Sequence, residues 1–484
     1  MGYPRDVPAA LPKDAIAVDV ASAPAGAPIP SGFLGFSIEY PSSPAYLGLD
    51  PAAPNPTFIR LVRELTPTGA PVIRFGGDTA DWTWWPTKGV PKPPGVTYAL
   101  TRRWLAVTRA TALALRARLI LGINLEADSR TIAGTEARAL LRGLGRGVVA
   151  GFELGNEPEV YGTLGWYTNS AGVSVAGRSP GYDFDSYVSD YAAISSSLPR
   201  SVPLLGPASG APMWEAGVKQ FLAANPRVRQ VTFHAYPLHR CYTPSSSPTY
   251  PTIANLLSPA AASSPAASVQ GAVAIAHARG DPLRVDELNS VSCKGARGVS
   301  DVFASALWAP DTLFHLARVG VDGVNIHTLD GVPYEPFAFT HSGDRWQAHV
   351  KPMYYGLLLF ARAAPAGSRL LATFHAPVAG LRTWATKGRS GTLRILLIND
   401  SPTRPLTLAV RPPHPARSAT LERLLADGLR ATSGVTLAGQ TFGAATATGK
   451  LSGALRSATV QPIQHRYVVH LEPASAALLT LVMR

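Results

Sequence analysis

The chain has 484 residues, of which 46% are hydrophobic and 15% are charged, and its formal net charge is +13. This composition is typical of a folded globular protein and excludes an intrinsically disordered one, while the length predicts more than one domain. The basic residues are mostly Arg and are scattered along the chain, without the basic and aromatic clusters typical of nucleic-acid binding. We therefore expect no nucleic-acid partner, although the charge is compatible with an acidic sugar.

The N-terminal residues, the apolar runs and the cysteines bear on the cellular location. No run of about 18 consecutive apolar residues occurs, so no membrane span is expected. The first residues lack the apolar segment of a signal peptide, which indicates either a cytoplasmic protein or one whose signal has been removed. Cys241 and Cys293 are the two cysteines. They form either a disulfide between two loops, as in a secreted or extracytoplasmic protein, or two unpaired thiols.

Short apolar runs alternate with helical patterns up to about Ala364. This alternation predicts a parallel sheet with helices packed outside it, and eight strands are the number that closes a barrel. The predicted strands are Gly32–Tyr40, Val72–Gly77, Leu119–Leu125, Val148–Glu157, Val202–Ala208, Val231–Tyr236, Leu283–Asn289 and Gly323–Thr328. The predicted helices between them are Thr57–Leu65, Arg103–Arg116, Thr135–Leu144, Tyr187–Leu198, Ala266–Ala278 and Val302–Ala317.

After Ala364 the sequence changes to alternating stretches rich in Thr, Val and Leu, such as Leu393–Asn399, Leu406–Arg411 and Ala477–Met483. These stretches predict an antiparallel β-sandwich, which the early strand Ala15–Val20 is expected to complete. The predicted fold is therefore α/β: a (β/α)8 TIM barrel over residues 29–364 and a C-terminal sandwich over 365–484. Residues 1–28 are expected to join the sandwich.

Two glutamates stand at the ends of predicted strands four and seven: Glu157 in Asn156-Glu157-Pro158, and Glu287 after Asp286. The carboxyl ends of barrel strands meet on one face, so these acids are expected to face each other across the barrel mouth. Glycoside hydrolysis needs a carboxylic acid for the leaving oxygen and, with retention, a carboxylate nucleophile. We assign these roles to Glu157 and Glu287 respectively. A simple turn and a surface charge are the alternatives.

Three further residues have chemistry that fits this pair. Arg74, inside the second strand, is expected to hold Glu287 ionised, and Tyr236 is expected to donate its hydroxyl to the same carboxylate. Asn156 is expected to bind a sugar hydroxyl beside the reacting carbon. A structural ion pair for Arg74 and a core position for Tyr236 are the alternatives.

These residues resemble glycoside hydrolase family 79, the group that contains β-glucuronidases and heparanase. The resemblance implies a retaining exo-acting β-glycosidase with a carbohydrate substrate and no metal or cofactor. Five segments carry it in order: Gly35-Phe36-Ser37-Ile38-Glu39-Tyr40, Arg74-Phe75-Gly76-Gly77-Asp78, Gly155-Asn156-Glu157-Pro158, Asp286-Glu287-Leu288-Asn289 and Gly298-Val299-Ser300-Asp301-Val302-Phe303-Ala304.

The resemblance also implies that Glu39 and Asp78 accept hydrogen bonds from the terminal sugar and that Tyr334 closes the pocket around it. Helix caps or loop ion pairs are the alternatives for the two acids, and a surface aromatic is the alternative for Tyr334.

One loop departs from the family pattern. Similar uronate-cleaving enzymes follow the nucleophile with a tyrosine and glycines that hold the sugar carboxylate, whereas Ser292, Cys293 and Lys294 stand here. Either Lys294 supplies a cation to a uronate, or the loop accepts a neutral sugar such as glucose.

Two other classes of protein remain open at this point. One is a carbohydrate-binding barrel that has lost catalysis. The other is a metal-dependent lyase or isomerase, which would need a cluster of histidine and acidic ligands. Only His234 and His327 stand at predicted strand ends, which is a weak signal for a metal. The oligomeric state is left open.

Overall fold

The protein is described by a computed structural model that covers residues 10–343 and 345–483. At its centre eight parallel strands form a closed barrel in which neighbours along the chain are neighbours in space, as the sequence predicts. The first to eighth barrel strands are Leu34–Glu39, Val72–Gly76, Arg118–Ile123, Val149–Leu154, Leu204–Ser209, Val228–Ala235, Leu283–Leu288 and Gly323–Thr328.

The barrel strands are buried on both faces, which explains why they read as continuous apolar runs rather than as alternating patterns. The first, fifth, seventh and eighth strands are buried at every position. Buried polar side chains nevertheless occur in several of the eight barrel strands, for example Ser37, Arg74, Glu153 and Asp286. Since a buried polar group needs a partner, these side chains indicate a polar network at the centre of the barrel.

The helices lie outside the barrel, and several begin at a side chain that accepts a backbone N–H, such as Asn55 and Thr101. The predicted helix Ala266–Ala278 is wrong as a single element, because Val269 leaves the helical conformation at φ −123° and separates two helices. The helices are Ser43–Leu47, Pro56–Leu65, Arg102–Leu115, Arg130–Leu144, Phe184–Ser195, Val218–Ala224, Ile253–Leu256, Pro259–Ala267, Gln270–Ala278, Phe303–Val319 and Pro352–Ala363. Within residues 10–343 and 345–483, none of them combines the length and the apolar character needed to cross a bilayer.

The loops that follow the barrel strands carry short two-stranded pairings. Leu238–His239 pairs with Val291–Ser292, so the loop after the sixth strand is joined to the loop after the seventh. The other pairings are Thr83–Trp84 with Tyr98–Ala99, Gly165–Thr168 with Ser174–Ala176, and Phe337–Ser342 with Arg345–Val350.

A second sheet of eleven strands follows the barrel, and the N-terminal strand Ile16–Ala25 lies inside it, as expected. This strand pairs antiparallel with Arg369–Phe374 and parallel with Leu406–Arg411. Among the described residues, every other pairing of this sheet is antiparallel, so the predicted antiparallel sandwich is found with one parallel pairing added. A parallel pairing needs a long connection, and here the whole barrel supplies it. The remaining strands are Leu381–Lys387, Leu393–Asn399, Ala416–Leu425, Thr436–Leu437, Ala458–Thr459, Pro462–Ile463, Arg466–Leu471 and Ser475–Met483.

The second sheet folds over a hydrophobic core of its own. This core joins Val18 of the N-terminal strand to Leu421 and Val469, which belong to strands far apart in the order of the sheet. Residues from distant strands can share one core only if the sheet closes on itself, which is the arrangement of a sandwich.

Val18→Ala tests whether the N-terminal strand stabilises the C-terminal domain. The Val18 side chain is fully buried, so we expect the substitution to lower the free energy of unfolding by about 2 kcal/mol. The exposed neighbour Ala17 provides the control Ala17→Ser, which should change stability by less than about 0.5 kcal/mol. Urea unfolding of the full chain measures both, and equal stabilities would contradict the assignment.

Candidate active site

Glu157 and Glu287 lie together at the carboxyl ends of the fourth and seventh barrel strands. One carboxylate oxygen of each lies within 4.8 Å of the other and of a ring nitrogen of His234. Glu287 is 6% exposed, which rules out the alternative of a surface charge. The side chain of Glu157 is 28% exposed. The two carboxylates therefore face each other, one buried and one open to solvent.

Arg74 is fully buried and contacts both sides of the site. Its Nη1 donates to Glu287 Oε2 at 2.7 Å, and its Nη2 donates to Asn156 Oδ1 at 3.0 Å. Its Nε donates to Glu153 Oε2 at 2.5 Å. The rigid guanidinium thus joins a carboxylate of the seventh strand to two polar groups of the fourth strand and the loop that follows it.

A second pair of carboxyl groups, Glu153 and Asp286, lies deeper in the barrel beside Arg74. Burial raises the pKa of Asp286 well above its usual range, and the charge of Glu153 adds to the shift. Burial opposes the ionised form of Glu153 too, but Arg74 lowers its pKa. The two shifts have opposite directions, so Glu153 is favoured as the charged partner of Arg74 and the charged form of Asp286 is disfavoured.

Glu287 is held in its ionised form. Its Oε1 accepts the Tyr236 hydroxyl at 2.7 Å, the contact that the sequence predicts. Burial alone would raise the pKa of Glu287, but four neighbours lower it well below its usual range: His327, His234, Arg74 and Tyr236. Because Arg74 and the Tyr236 hydroxyl act whatever the charge of the two histidines, Glu287 is a carboxylate at neutral pH.

His234 connects Glu157 to Arg74. Its Nε2 lies 3.2 Å from Arg74 Nη2, and its Nδ1 lies 2.9 Å from Glu157 Oε1. The guanidinium can only donate, so Nε2 accepts and Nδ1 carries the proton that His234 donates to Glu157. Glu157, His234 and Glu287, and likewise Glu153, His234 and Asp286, place their ligand atoms within 4.8 Å of one another, so His234 also belongs to clusters that could hold a metal ion.

The backbone at Glu157 adopts the left-handed conformation, with φ 44°, which is unusual for a residue other than glycine. The Glu157 N–H donates to the carbonyl of Ala208 at 2.8 Å, and this bond fixes the turn to the fifth strand. Such a conformation costs on the order of 1–3 kcal/mol and is found mostly at functional sites.

A further acid, Glu159, lies on the same turn. Its Oε1 accepts the Gly210 N–H at 2.5 Å, and its Oε2 is buried without a partner. Burial raises the pKa of Glu159 to about 7, and the charge of Glu157 adds to this. The motif Asn156-Glu157-Pro158 does not indicate this residue.

Asp81 ties the ends of the third and fourth strands together. It accepts the N–H groups of Leu125 at 2.7 Å and of Asn156 at 2.9 Å, and the Tyr161 hydroxyl at 2.6 Å. The Nδ2 of Asn156 is 3.2 Å from Asp78 Oδ1. Asp81 therefore orients Asn156, whose amide can donate a second hydrogen bond to a sugar.

Glu39 and Asp78 are found on the same side of the site. Glu39 is 5% exposed, accepts the Thr79 N–H at 3.0 Å, and has His327 Nε2 at 3.5 Å from its other oxygen. Gly77 has φ +78°, and a Cβ there would lie 2.3 Å from Glu39, so only glycine fits this turn. Glu39 thus also stabilises the turn at Gly77 and Thr79, a structural role similar to the helix cap considered as an alternative for this residue.

The Asp78 side chain is exposed in the pocket. The protein atoms around it nevertheless raise its pKa by desolvation, and the charge of Glu39 adds to the shift. A carboxyl group that keeps its proton can donate as well as accept a hydrogen bond, so Asp78 can serve either way toward a sugar hydroxyl.

Tyr334 is buried rather than a surface aromatic, with 3% exposure. Its ring centroid lies 5.9 Å from that of His327, and its hydroxyl interacts with Tyr236. Tyr334 therefore packs against the site from the loop after the eighth strand.

Ser292 and Lys294 lie on the rim, and Lys294 is exposed. Ser292 Oγ is 3.1 Å from His239 Nδ1. Gly295 lies close to the backbone of Tyr334, since a Cβ added at Gly295 would be 3.0 Å from the Tyr334 backbone nitrogen. This loop, residues 292–295, is named the rim loop below. Cys293 belongs to this loop, Cys241 lies in the loop after the sixth strand, and both are free thiols.

No protein-family model and no curated protein matches the sequence. Solved structures match the fold over almost the whole chain. A 4-O-α-L-rhamnosyl-β-D-glucuronidase from Fusarium oxysporum 12S, solved as a Rha-GlcA complex, has 21% identity and a TM-score of 0.72, and the match covers 96% of this chain and 100% of that one. A GH51 arabinofuranosidase from Xanthomonas axonopodis pv. citri has 16% identity and a TM-score of 0.67, with 96% and 99% covered.

A GH family 44 xyloglucanase from Paenibacillus polymyxa also matches, with 11% identity, a TM-score of 0.57, and 97% and 100% of the two chains covered. At these identities the likeness shows a shared fold, a TIM barrel with a sheet domain, and each of the three proteins is a glycosidase by its name.

Arg74→Met tests whether the guanidinium holds the centre of the site together. The variant leaves Glu153 and Glu287 buried without their cation, so we expect the free energy of unfolding to fall by about 3–5 kcal/mol. Arg60 forms an exposed ion pair with Glu64 and provides the control Arg60→Met, expected to cost about 0.3–0.5 kcal/mol. Similar urea midpoints for the two variants would contradict a central role for Arg74.

Proposed function

We propose that the protein is a retaining β-glycosidase similar to glycoside hydrolase family 79, with Glu157 as the general acid/base and Glu287 as the nucleophile. The observation that carries this proposal is the pair itself: two carboxylates with oxygens within 4.8 Å, of which the buried one is kept ionised. Retaining glycosidases have carboxyl groups about 5–5.5 Å apart, whereas inverting enzymes leave room for a water at about 6.5–9.5 Å.

The first step breaks the glycosidic bond and forms a glycosyl-enzyme ester. Glu287 Oε1 or Oε2 attacks the anomeric carbon while Glu157 gives its proton to the departing oxygen, so the aglycone leaves as an alcohol. Arg74 and Tyr236 direct the carboxylate, and because each holds a different oxygen, Glu287 cannot rotate away from the sugar. The positioned nucleophile lowers the entropic cost of attack.

The second step hydrolyses the ester. Glu157, now a carboxylate, takes a proton from a water that attacks the anomeric carbon, and Glu287 leaves with its negative charge restored. The His234 Nδ1–H group donates to Glu157 Oε1 and so keeps the carboxylate aimed at the water. One aglycone and one sugar are released per water consumed, and the sugar keeps its β configuration.

We propose a β-glucuronide, or a similar β-linked acidic sugar, as the substrate. The rim loop carries Lys294, and Arg240 donates from its Nη1 to the carbonyl of Gly295 at 3.2 Å, so two cations lie at this loop. The glucuronidase from Fusarium oxysporum, which shares the fold, supports an acidic sugar by its name. A neutral sugar such as glucose is the second candidate, because the loop lacks the tyrosine and glycines of similar uronate-cleaving enzymes.

The proposed action is on a terminal sugar of a glycan or glycoconjugate. Glu39, Asp78 and Asn156 offer acceptors and donors to the hydroxyls of one ring, while Tyr334 covers the site from the loop after the eighth strand. Several polar groups that converge around a single ring favour recognition of a chain end.

Glu287→Gln tests the nucleophile. The amide is isosteric but cannot form the ester, so kcat on an aryl β-glycoside should fall by about three orders of magnitude or more. Glu64→Gln, at a partly exposed position of a surface ion pair, provides the control and should keep wild-type activity. Circular dichroism checks that the fold is intact, and near-wild-type turnover of Glu287→Gln would remove this residue from the mechanism.

Lys294→Ala tests the sugar. Loss of one charge-assisted contact to a uronate, worth about 1.5–3 kcal/mol, should lower kcat/KM for an aryl β-glucuronide about 10- to 100-fold and leave the aryl β-glucoside unchanged. Lys219, an exposed lysine on the helix Val218–Ala224, provides the control Lys219→Ala. A wild-type preference for the glucoside, insensitive to Lys294→Ala, would instead establish the neutral sugar.

A further inference from the structure

The two cysteines of the chain are brought together by two neighbouring rim segments. Cys241 follows the sixth barrel strand and Cys293 follows the seventh, and the sequence contains no other cysteine. Leu238–His239 pairs with Val291–Ser292 just before the two cysteines, and the thiol of Cys293 raises the pKa of the Cys241 thiol. The two thiols are therefore neighbours although the residues are far apart in sequence.

The backbone around the thiols is already joined. Leu238–His239 pairs in parallel with Val291–Ser292 immediately before the two cysteines, and Arg240 binds the carbonyl of Gly295 just after them. These contacts join the two segments next to the two cysteines. A disulfide would therefore link two segments that already lie side by side.

The rim loop itself is strained and accessible. Cys293 has φ 58° and Lys294 has φ 71°, two consecutive left-handed residues that are not glycine. Such backbone persists only where its surroundings restrain it. Cys293 is exposed and Cys241 is partly exposed, so a redox partner in solution can reach both.

We propose that Cys241 and Cys293 are a reversible redox site whose disulfide braces the rim loop and thereby sets the affinity for the sugar carboxylate. The oxidant is a small-molecule disulfide such as oxidised glutathione. One cysteine thiolate attacks it and expels one reduced thiol, and the second thiolate then displaces the other from the mixed disulfide. Two protons and two electrons leave the protein, and one disulfide of the oxidant becomes two thiols.

The bridge acts on binding because Lys294 is the residue next to Cys293. In the oxidised protein the loop that carries the lysine has a covalent restraint, whereas in the reduced protein it is held only by hydrogen bonds, so binding a uronate restricts its motion further. This part of the inference rests on the proposed function, since it takes the rim loop as the site for a uronate. The formation of the disulfide itself does not depend on the proposed function.

The first experiment uses the full chain and counts thiols. Protein reduced with dithiothreitol should show two reactive thiols, and the same protein treated with oxidised glutathione should show none and carry no glutathione by intact mass. Cys241→Ser should instead retain one glutathione on Cys293, because the resolving thiol is gone. Free thiols, or two bound glutathiones on the wild type, would overturn the disulfide.

The second experiment compares oxidised and reduced wild type on an aryl β-glucuronide and an aryl β-glucoside. We expect a KM for the glucuronide about two- to tenfold lower in the oxidised protein, with kcat and the glucoside KM unchanged. The double variant Cys241→Ser with Cys293→Ser should not respond to oxidant. A bridge without any change in KM would overturn the coupling, whereas a protein inactive on every glycoside but with the expected thiol count would overturn only the proposed function.

Discussion

The buried guanidinium of Arg74 is the interaction around which the barrel mouth is organised. A cation without solvent is stable only where carboxylates surround it, and the barrel supplies Glu153 and Glu287 from two strands across the barrel from each other. The same guanidinium binds Asn156 and contacts His234. It therefore links the strand that carries the proposed nucleophile to the turn that carries the proposed acid. If the guanidinium is removed, both charge balance and alignment are lost together.

The asymmetry of the two glutamates follows from this arrangement. Glu287 receives Arg74 and Tyr236 directly and is ionised, while Glu157 touches the guanidinium only through His234 and lies partly in solvent. One carboxyl group is thereby kept ionised, and the other lies partly open to solvent. A double displacement needs this division of roles, because the same residue must act first as an acid and then as a base.

The sequence predicts the barrel almost completely, because each strand is an apolar run bounded by turns, and it places both glutamates correctly because strand ends of a closed barrel meet on one face. Four residues of the site are not predicted from the sequence. Glu153 and Asp286 stand inside strands, where a single acid in an apolar run carries no signal of its partner, and Asp81 and Glu159 lie on turns whose contacts depend on the closed barrel. The helix Pro352–Ala363 is apolar around most of its circumference, because all of its residues except Ala361 and Arg362 are buried, so it has no clear polar face to mark it in the sequence. The break at Val269 depends on local backbone geometry that periodicity does not describe.

The stereochemistry of the first-formed sugar tests the proposed retaining mechanism most directly. Glu157 and Glu287 have carboxylate oxygens within 4.8 Å of each other, which fits double displacement better than the wider spacing of inverting enzymes. Proton NMR of the anomeric signals, recorded from the moment the wild-type enzyme meets an aryl β-glycoside that it cleaves, reports that configuration before mutarotation mixes the anomers. The account predicts that the β anomer appears first and the α anomer only later. An α anomer formed first would contradict it, since the reaction would then proceed by single displacement and Glu287 would not bond to the sugar.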